Sequence, residues 1–271
     1  MKHLIGYKEL RENLETSFNN AGITELSDID WICCEVTGKK RSQLPFIEVF
    51  SADEMNKIMD AVSKRLKHIP LAYIFGKTNF FGYDFIVDEN VLIPRLDTEI
   101  LIEKVIDEIN SREEFVSVLD IGTGSGAIAI TLSKETGAKL TAVDVNLKAL
   151  EIAKKNAELN NANIEFIHSD LFDNISDFKF DIIVSNPPYI ESSVIETLDD
   201  EVRLNEPILA LDGGEDGLDF YRKIINQAPG YLKANGKLFF EIGYNQGDSI
   251  SNLMKEKFLV FQGFQRGFWN S

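Results

Sequence analysis

The chain has 271 residues, 44% of them hydrophobic, enough for one large domain or two modest ones around a sizeable core. Its 28 basic and 44 acidic side chains give a net charge of −16, and the imbalance is local: residues 1–75 hold 10 basic against 11 acidic side chains, residues 76–271 hold 18 against 33. A body this acidic repels a phosphate backbone, which argues against general nucleic-acid binding, and no apolar run approaches the ~20 residues needed to span a bilayer.

The amino terminus, MKHLIGYKEL, lacks the apolar core of a secretory signal. Leu10, Leu14 and Phe18 then recur at helical spacing. So do Ile29, Ile32, Cys33 and Val36, with Gly38 as a C-cap, and Met55, Ile58, Met59, Val62 and Leu66. Residues 1–73 are therefore expected to form a small helical bundle. Cys33 and Cys34 are adjacent and have no spaced Cys or His partners, so they read as core residues of a cytoplasmic protein without a metal site. The clusters Lys39, Lys40, Arg41 and Lys64, Arg65, Lys67 read as solvated charge.

Residues 74–93 are rich in Phe, Tyr and Gly with partial alternation, which predicts a β-hairpin connecting two domains. From residue 94 to 271, helical and strand patterns alternate. Helices are predicted over 98–109, 127–134, 147–159 and 218–232, and strands over 117–121, 139–145, 164–168, 180–185 and 237–242. Such alternation implies an α/β, Rossmann-like, mostly parallel sheet with helices on both faces. The aromatic stretch 258–269 reads as a hairpin at an antiparallel edge.

Three strand ends carry candidate cofactor residues. After the first long strand comes Asp120–Ile121–Gly122–Thr123–Gly124–Ser125–Gly126, a glycine-rich turn opening a helix. Glycine there permits unusual dihedrals and lets a ligand approach the backbone. Its G-x-G-x-G spacing is not the pyrophosphate fingerprint, and no Walker lysine follows. Asp144 ends the next strand, where a carboxylate can accept from both ribose hydroxyls of a nucleoside. It could instead cap the following helix, but Asn146 can take that part. After the third strand, Asp170 is placed to meet an adenine amine and Leu171 to press on the ring, although an Asp in such a loop is common.

The most specific feature follows the strand FDIIVS: Asn186, Pro187, Pro188 and Tyr189. The Asn186 amide oxygen and the Pro187 carbonyl can each accept an N–H, and the Tyr189 ring can stack on a planar group. Together they suit a planar –C–NH2 group, either a carboxamide or a base amine. Two accepted N–H groups turn the nitrogen lone pair outward, toward an electrophilic methyl on a sulfonium; positioning supplies most of the effect and no strong base is required. Asn186, Pro187 and Tyr189 are thus the candidate catalytic residues, and Asn186 to Tyr189 the candidate substrate contacts.

Other motifs extend the pattern: Leu92–Ile93–Pro94–Arg95 with Asp97–Thr98–Glu99, Glu206–Pro207, Gly213–Gly214, Asp216–Gly217–Leu218, Tyr221–Arg222, and Glu241–Ile242–Gly243 with Gln246. With them, the chain from about residue 70 to about residue 247 resembles the class I S-adenosylmethionine-dependent methyltransferases of the HemK/PrmC family, which N5-methylate the glutamine of the Gly-Gly-Gln motif in peptide chain release factors. The resemblance implies S-adenosylmethionine bound at Gly122, Thr123, Gly124, Ser125, Gly126, Asp144, Leu171 and Asn186, joined by Asp170 from its place after the third strand, with S-adenosylhomocysteine as product. It also implies a class I release factor as protein partner, docked by the helical amino-terminal domain, and a monomer that binds neither nucleic acid nor membrane. Leu96 stands where the family usually has proline, and Leu171 where an aromatic is frequent. The alternative enzyme is a DNA adenine N6-methyltransferase, whose target presents the same planar amine; it must flip its base and bind duplex, against the charge. A cofactor-binding adaptor would be expected to lose the clamp or the glycine turn, and both are intact.

Overall fold

A computed structural model describes residues 5–176 and 178–257. In chain order these form α1 (Tyr7–Asn20), α2 (Ser27–Thr37), α3 (Ala52–Arg65), α4 (Leu71–Phe75), β1 (Lys77–Phe80), β2 (Tyr83–Ile86), α5 (Leu96–Asn110), β3 (Ser117–Ile121), α6 (Ala127–Thr136), β4 (Lys139–Asp144), α7 (Leu147–Leu159), β5 (Ile164–His168), β6 (Phe180–Ser185), α8 (Asp200–Asn205), α9 (Asp219–Tyr231), β7 (Leu232–Phe240) and α10 (Gly247–Lys255). Two compact units result: Met1–Lys77 together with Asp199–Asn205, and Thr78–Leu198 together with Glu206–Ser271.

The first unit is helical. Leu10, Leu14 and Phe18 of α1 meet Ile29, Ile32 and Cys33 of α2 and Ile58 and Val62 of α3 in one core. Gly38 ends α2 in the left-handed region (φ 67°), its N–H donating to Cys34 O at 2.8 Å. α3 opens with a capping box: Ser51 Oγ accepts from Glu54 N at 3.2 Å, and Glu54 Oε2 from Ser51 N at 2.8 Å. Both cysteines are free thiols, and burial pushes Cys33 up to about 12. Two expectations change. Met59 is 45% exposed, because Ile58 and Val62 take the inward positions of α3. Arg65 is not a solvated charge. It lies seven residues after Ile58 on that same inward face and is 3% exposed, with Nε donating to Asp28 Oδ2 and one terminal nitrogen paired with Glu201 of α8, each at 2.7 Å. Arg41 of the other basic cluster pairs with Asp30 at 2.7 Å.

The second unit is a five-stranded sheet in the order β5-β4-β3-β6-β7, every pair parallel, plus the β1–β2 hairpin. The hairpin turns on Phe81 and Gly82, both with positive φ (52° and 80°), the backbone that a tight two-residue turn demands. Successive strand residues face opposite layers. Val118, Ile182 and Val184 pack with α5, α6 and the hairpin's Phe80 and Phe85; Leu119 and Ile183 pack with Ile224 and Ala228 of α9. Burial on both faces explains why these strands read as nearly continuous apolar runs. β7 begins at Leu232, directly after α9, five residues earlier than the apolar pattern indicates. The stretch 258–269, read as an antiparallel edge hairpin, lies outside the described residues.

The strand order sets the site. Chain direction runs outward from β3 through β4 to β5, then returns to β6 on the other side, so the switch point lies between β3 and β6. In open α/β sheets the crevice for ligands forms there, beyond the carboxyl ends of the strands. Ile121 and Ser185 are paired neighbours at those ends, which sets Gly122 and Asn186 at adjoining exits.

Candidate active site

The glycine turn leaves β3 under tight backbone control. Gly122 N and Thr123 N both donate to Val143 O, at 2.9 and 3.0 Å, and Gly126 N donates to Thr123 O at 2.8 Å. Gly122, Gly124 and Gly126 all have positive φ (72°, 55° and 84°). Their surroundings differ. A Cβ at Gly122 or Gly124 would meet no atom within 4 Å, whereas one at Gly126 would lie 2.9 Å from Ile130 Cδ1 and 3.3 Å from Ala153 Cβ. The first two therefore face open space and the third allows close helix packing. Ser125 is buried, and its carbonyl accepts from Asn156 Nδ2 at 2.9 Å. Asn156 also exchanges two hydrogen bonds with the Ile86 backbone of β2, joining turn, α7 and hairpin.

Asp144 ends β4 beside this turn. Its Oδ2 accepts from Gly124 N and its Oδ1 from Asn146 N, both at 2.8 Å. Asn146 is indeed the cap of α7, its Oδ1 accepting from Lys148 N at 3.0 Å. Asp144 also braces the glycine turn, which leaves further acceptor positions on a carboxylate that can take about four. Burial raises its pKa, against the backbone N–H groups of Asn146 and Gly124. Beyond β5, Asp170 is exposed, while Leu171 is partly buried at φ 49°, a left-handed conformation uncommon for leucine.

Asp120, near the end of β3 and beside the glycine turn, stands in the sequence only as part of a motif. It is wholly buried, and Thr123 Oγ1 donates to its Oδ2 at 2.6 Å, while Oδ1 has no partner among the described residues. Burial, with Asp144 adding, pushes its pKa up to about 7 against the Thr123 hydrogen bond.

The Asn186–Tyr189 segment is held from behind. Ser185 Oγ donates to Ile121 O at 2.7 Å, tying the two strand ends. Tyr189 O accepts from Gln246 Nε2 at 2.9 Å, and Gln246 Oε1 accepts from Gly243 N at 3.0 Å. The Asp212–Leu218 stretch packs so close that a Cβ at Gly217 (φ 70°) would lie 2.3 Å from Tyr189 O, and one at Gly213 2.8 Å from Tyr189 Cα. Pro187 is buried, and Asn186, Pro188 and Tyr189 are half-buried. Burial raises the Tyr189 phenol, with Glu241 and Asp97 adding, so the ring stays neutral. Asn186 Nδ2 donates to Thr98 Oγ1 at 3.3 Å, near the carboxyl of Glu241. Thr98, Glu241 and Gln246 were visible only inside quoted motifs; no spacing signal joins them to Asn186. Among the described residues no group of His, Cys, Asp and Glu could hold a metal ion.

A sheet of this order with its polar groups gathered at the switch point is the architecture of class I methyltransferases. The solved methyltransferase from Pyrococcus furiosus shares the fold, with a TM-score of 0.51 and 22% identity over 65% of this chain and 79% of that one. Residues 95–203 match the family profile described as Methyltransferase small domain, and residues 9–76 that described as PrmC N-terminal domain. The release factor glutamine methyltransferase of Lactococcus lactis is 40% identical over 92% of this chain and 88% of its own length; that of Streptococcus pneumoniae is 44% identical over 77% and 74%. The chain belongs to the release factor glutamine methyltransferase family.

Proposed function

We propose that this enzyme transfers a methyl group from S-adenosylmethionine to the side-chain amide nitrogen (N5) of the glutamine in the Gly-Gly-Gln motif of class I peptide chain release factors. The observation that carries the reading is the placement of Asn186 and the Pro187 carbonyl at the exit of β6, next to the open glycine turn at the exit of paired β3. The cradle fits a nucleoside cofactor: space at Gly122 and Gly124 admits it against the backbone, Asp144 has acceptor capacity for ribose hydroxyls, and Leu171 offers an apolar contact for a base. Bound there, S-adenosylmethionine supplies an electrophilic methyl.

The protein's own contribution is positioning. Asn186 Oδ1 and Pro187 O each accept one N–H of the glutamine carboxamide, drawing the nitrogen toward tetrahedral geometry with its lone pair outward. Proline leaves that carbonyl without a competing N–H at the following residue. The Tyr189 ring stacks on the amide plane, and the backing by Gln246 and Gly217 fixes its backbone. Orientation of this kind removes several kcal/mol from a barrier. The nitrogen becomes acidic once alkylated, so its proton passes to water. The helical unit is the docking element that restricts the reaction to a release factor, and the enzyme acts as a monomer.

Labelled S-adenosylmethionine with purified release factor tests the reading. Label is expected on the wild-type substrate and absent from a Gly-Gly-Gln→Gly-Gly-Ala version; equal labelling of the two would refute the assigned target.

A further inference from the structure

Asn186 acts as an acceptor only if its carboxamide is turned the right way. Its oxygen and nitrogen are nearly equal in shape, and a flipped amide would present NH2 to an incoming NH2. Something must therefore break the symmetry. The nitrogen donates to Thr98 Oγ1 at 3.3 Å, and Thr98, in the first turn of α5, is 5% exposed. Behind the pair stands Glu241. Its backbone is fixed on both sides: Glu241 N donates to Ser185 O at 3.1 Å, and Tyr221 Oη donates to Glu241 O at 2.8 Å. Burial raises the pKa of its carboxyl while neighbouring Thr98 and Asn186 favour the charged form, and Oε2 is buried without a partner among the described residues.

A carboxylate only accepts. Donors on Thr98 and Asn186 therefore suit the side that faces Glu241, and Asn186 Nδ2, which donates to Thr98 Oγ1, leaves Oδ1 for the other side. We propose that Glu241 and Thr98 are positioning residues that lock the Asn186 carboxamide with its oxygen toward the substrate amide. The flipped amide would set its oxygen against the carboxylate in a half-buried site, where such repulsion is stronger than in water. The charge behind the amide also polarises Asn186 Oδ1, which steadies the positive charge that the substrate nitrogen acquires on alkylation. The inference rests on Asn186 being the substrate acceptor, but the orientation itself is readable without substrate.

In the ligand-free protein, the Asn186 side-chain amide is the pair of ¹⁵N–¹H resonances missing from Asn186→Ala. That pair is expected to move in Glu241→Gln and in Thr98→Val, and to stay near its wild-type position in Thr98→Ser, which keeps the hydroxyl. In turnover with release factor, Glu241→Gln and Thr98→Val are expected to lose about tenfold or more in kcat. Their calorimetric affinity for S-adenosylmethionine should remain within about twofold of wild type, with Thr98→Ser restoring most of kcat. Resonances unmoved by both substitutions would overturn the lock, as would kcat lost only in step with cofactor affinity. Resonances moved in both variants, together with a wild-type protein that methylates no release factor, would uphold the lock and overturn the substrate reading instead.

Discussion

Asp120 is an acid whose burial penalises its ionisation. It is wholly buried, one oxygen lacks a partner among the described residues, and its pKa is pushed up to about 7. In the unfolded chain it titrates near the ordinary carboxylate value, so between about pH 4 and about pH 7 the folded state binds the extra proton. Stability from this group is thus present at low pH and lost as pH rises through that window. Urea unfolding of wild type and Asp120→Asn across the window should show the wild type losing on the order of 2–4 kcal/mol relative to the variant as pH rises; a constant difference would contradict this. Asn186 carries a different demand. Asn186→Ala removes an acceptor from the reacting amide, so about 100-fold or more of kcat should vanish while cofactor affinity changes far less, as calorimetry and single-turnover assays can separate. Both residues sit in motifs plain in the sequence. What the sequence does not contain is Asp120's missing partner, or Thr98 and Glu241 beside Asn186, because these depend on where three distant strand and helix ends meet.

At the scale of elements, glycines of similar dihedral divide by what lies around them. Gly124 and Gly217 have φ of 55° and 70°, yet a Cβ at the first meets nothing within 4 Å and at the second lies 2.3 Å from Tyr189 O. Gly124→Ala should lose only about 1–2 kcal/mol of stability to backbone strain while weakening S-adenosylmethionine binding, because the methyl occupies the cradle. Gly217→Ala should lose more stability and lower turnover by displacing the Tyr189 backbone, with calorimetric cofactor affinity nearly unchanged. Equal effects of the two on cofactor affinity would contradict the division. Asn156 joins three elements through three side-chain hydrogen bonds, so Asn156→Ala should cost about 1–3 kcal/mol in thermal or chemical unfolding by leaving the Ile86 N–H and the Ile86 and Ser125 carbonyls unmet. Periodicity located most of these elements to within a residue or two, since a two-sided sheet and its covering helices write their burial into the chain. It missed the start of β7 because Lys233, Ala234, Asn235 and Gly236 lack strand character, and it misjudged Arg65 because a cation on an inward helical position looks like a solvated one until its carboxylates arrive.

The whole molecule divides its charge as it divides its units, and the acidic excess lies outside the first 75 residues. Fluorescence anisotropy with duplex DNA at low ionic strength should show no salt-sensitive binding; a steep salt dependence would revive a base-methylating enzyme. The sequence made the parallel sheet and the strand-end chemistry readable because both are local patterns repeated along the chain. It did not reveal that Asp199–Asn205, far along the chain, folds with the amino-terminal helices through Glu201 and Arg65, since nothing local announces that return. The central claim is a methyl placed on one glutamine nitrogen. Mass spectrometry of release-factor peptides after incubation with the enzyme and S-adenosylmethionine reads it directly. The account predicts the mass of one methylene gained on the glutamine of the Gly-Gly-Gln peptide and on no other; an unmodified glutamine, or the gain on another residue, would contradict it.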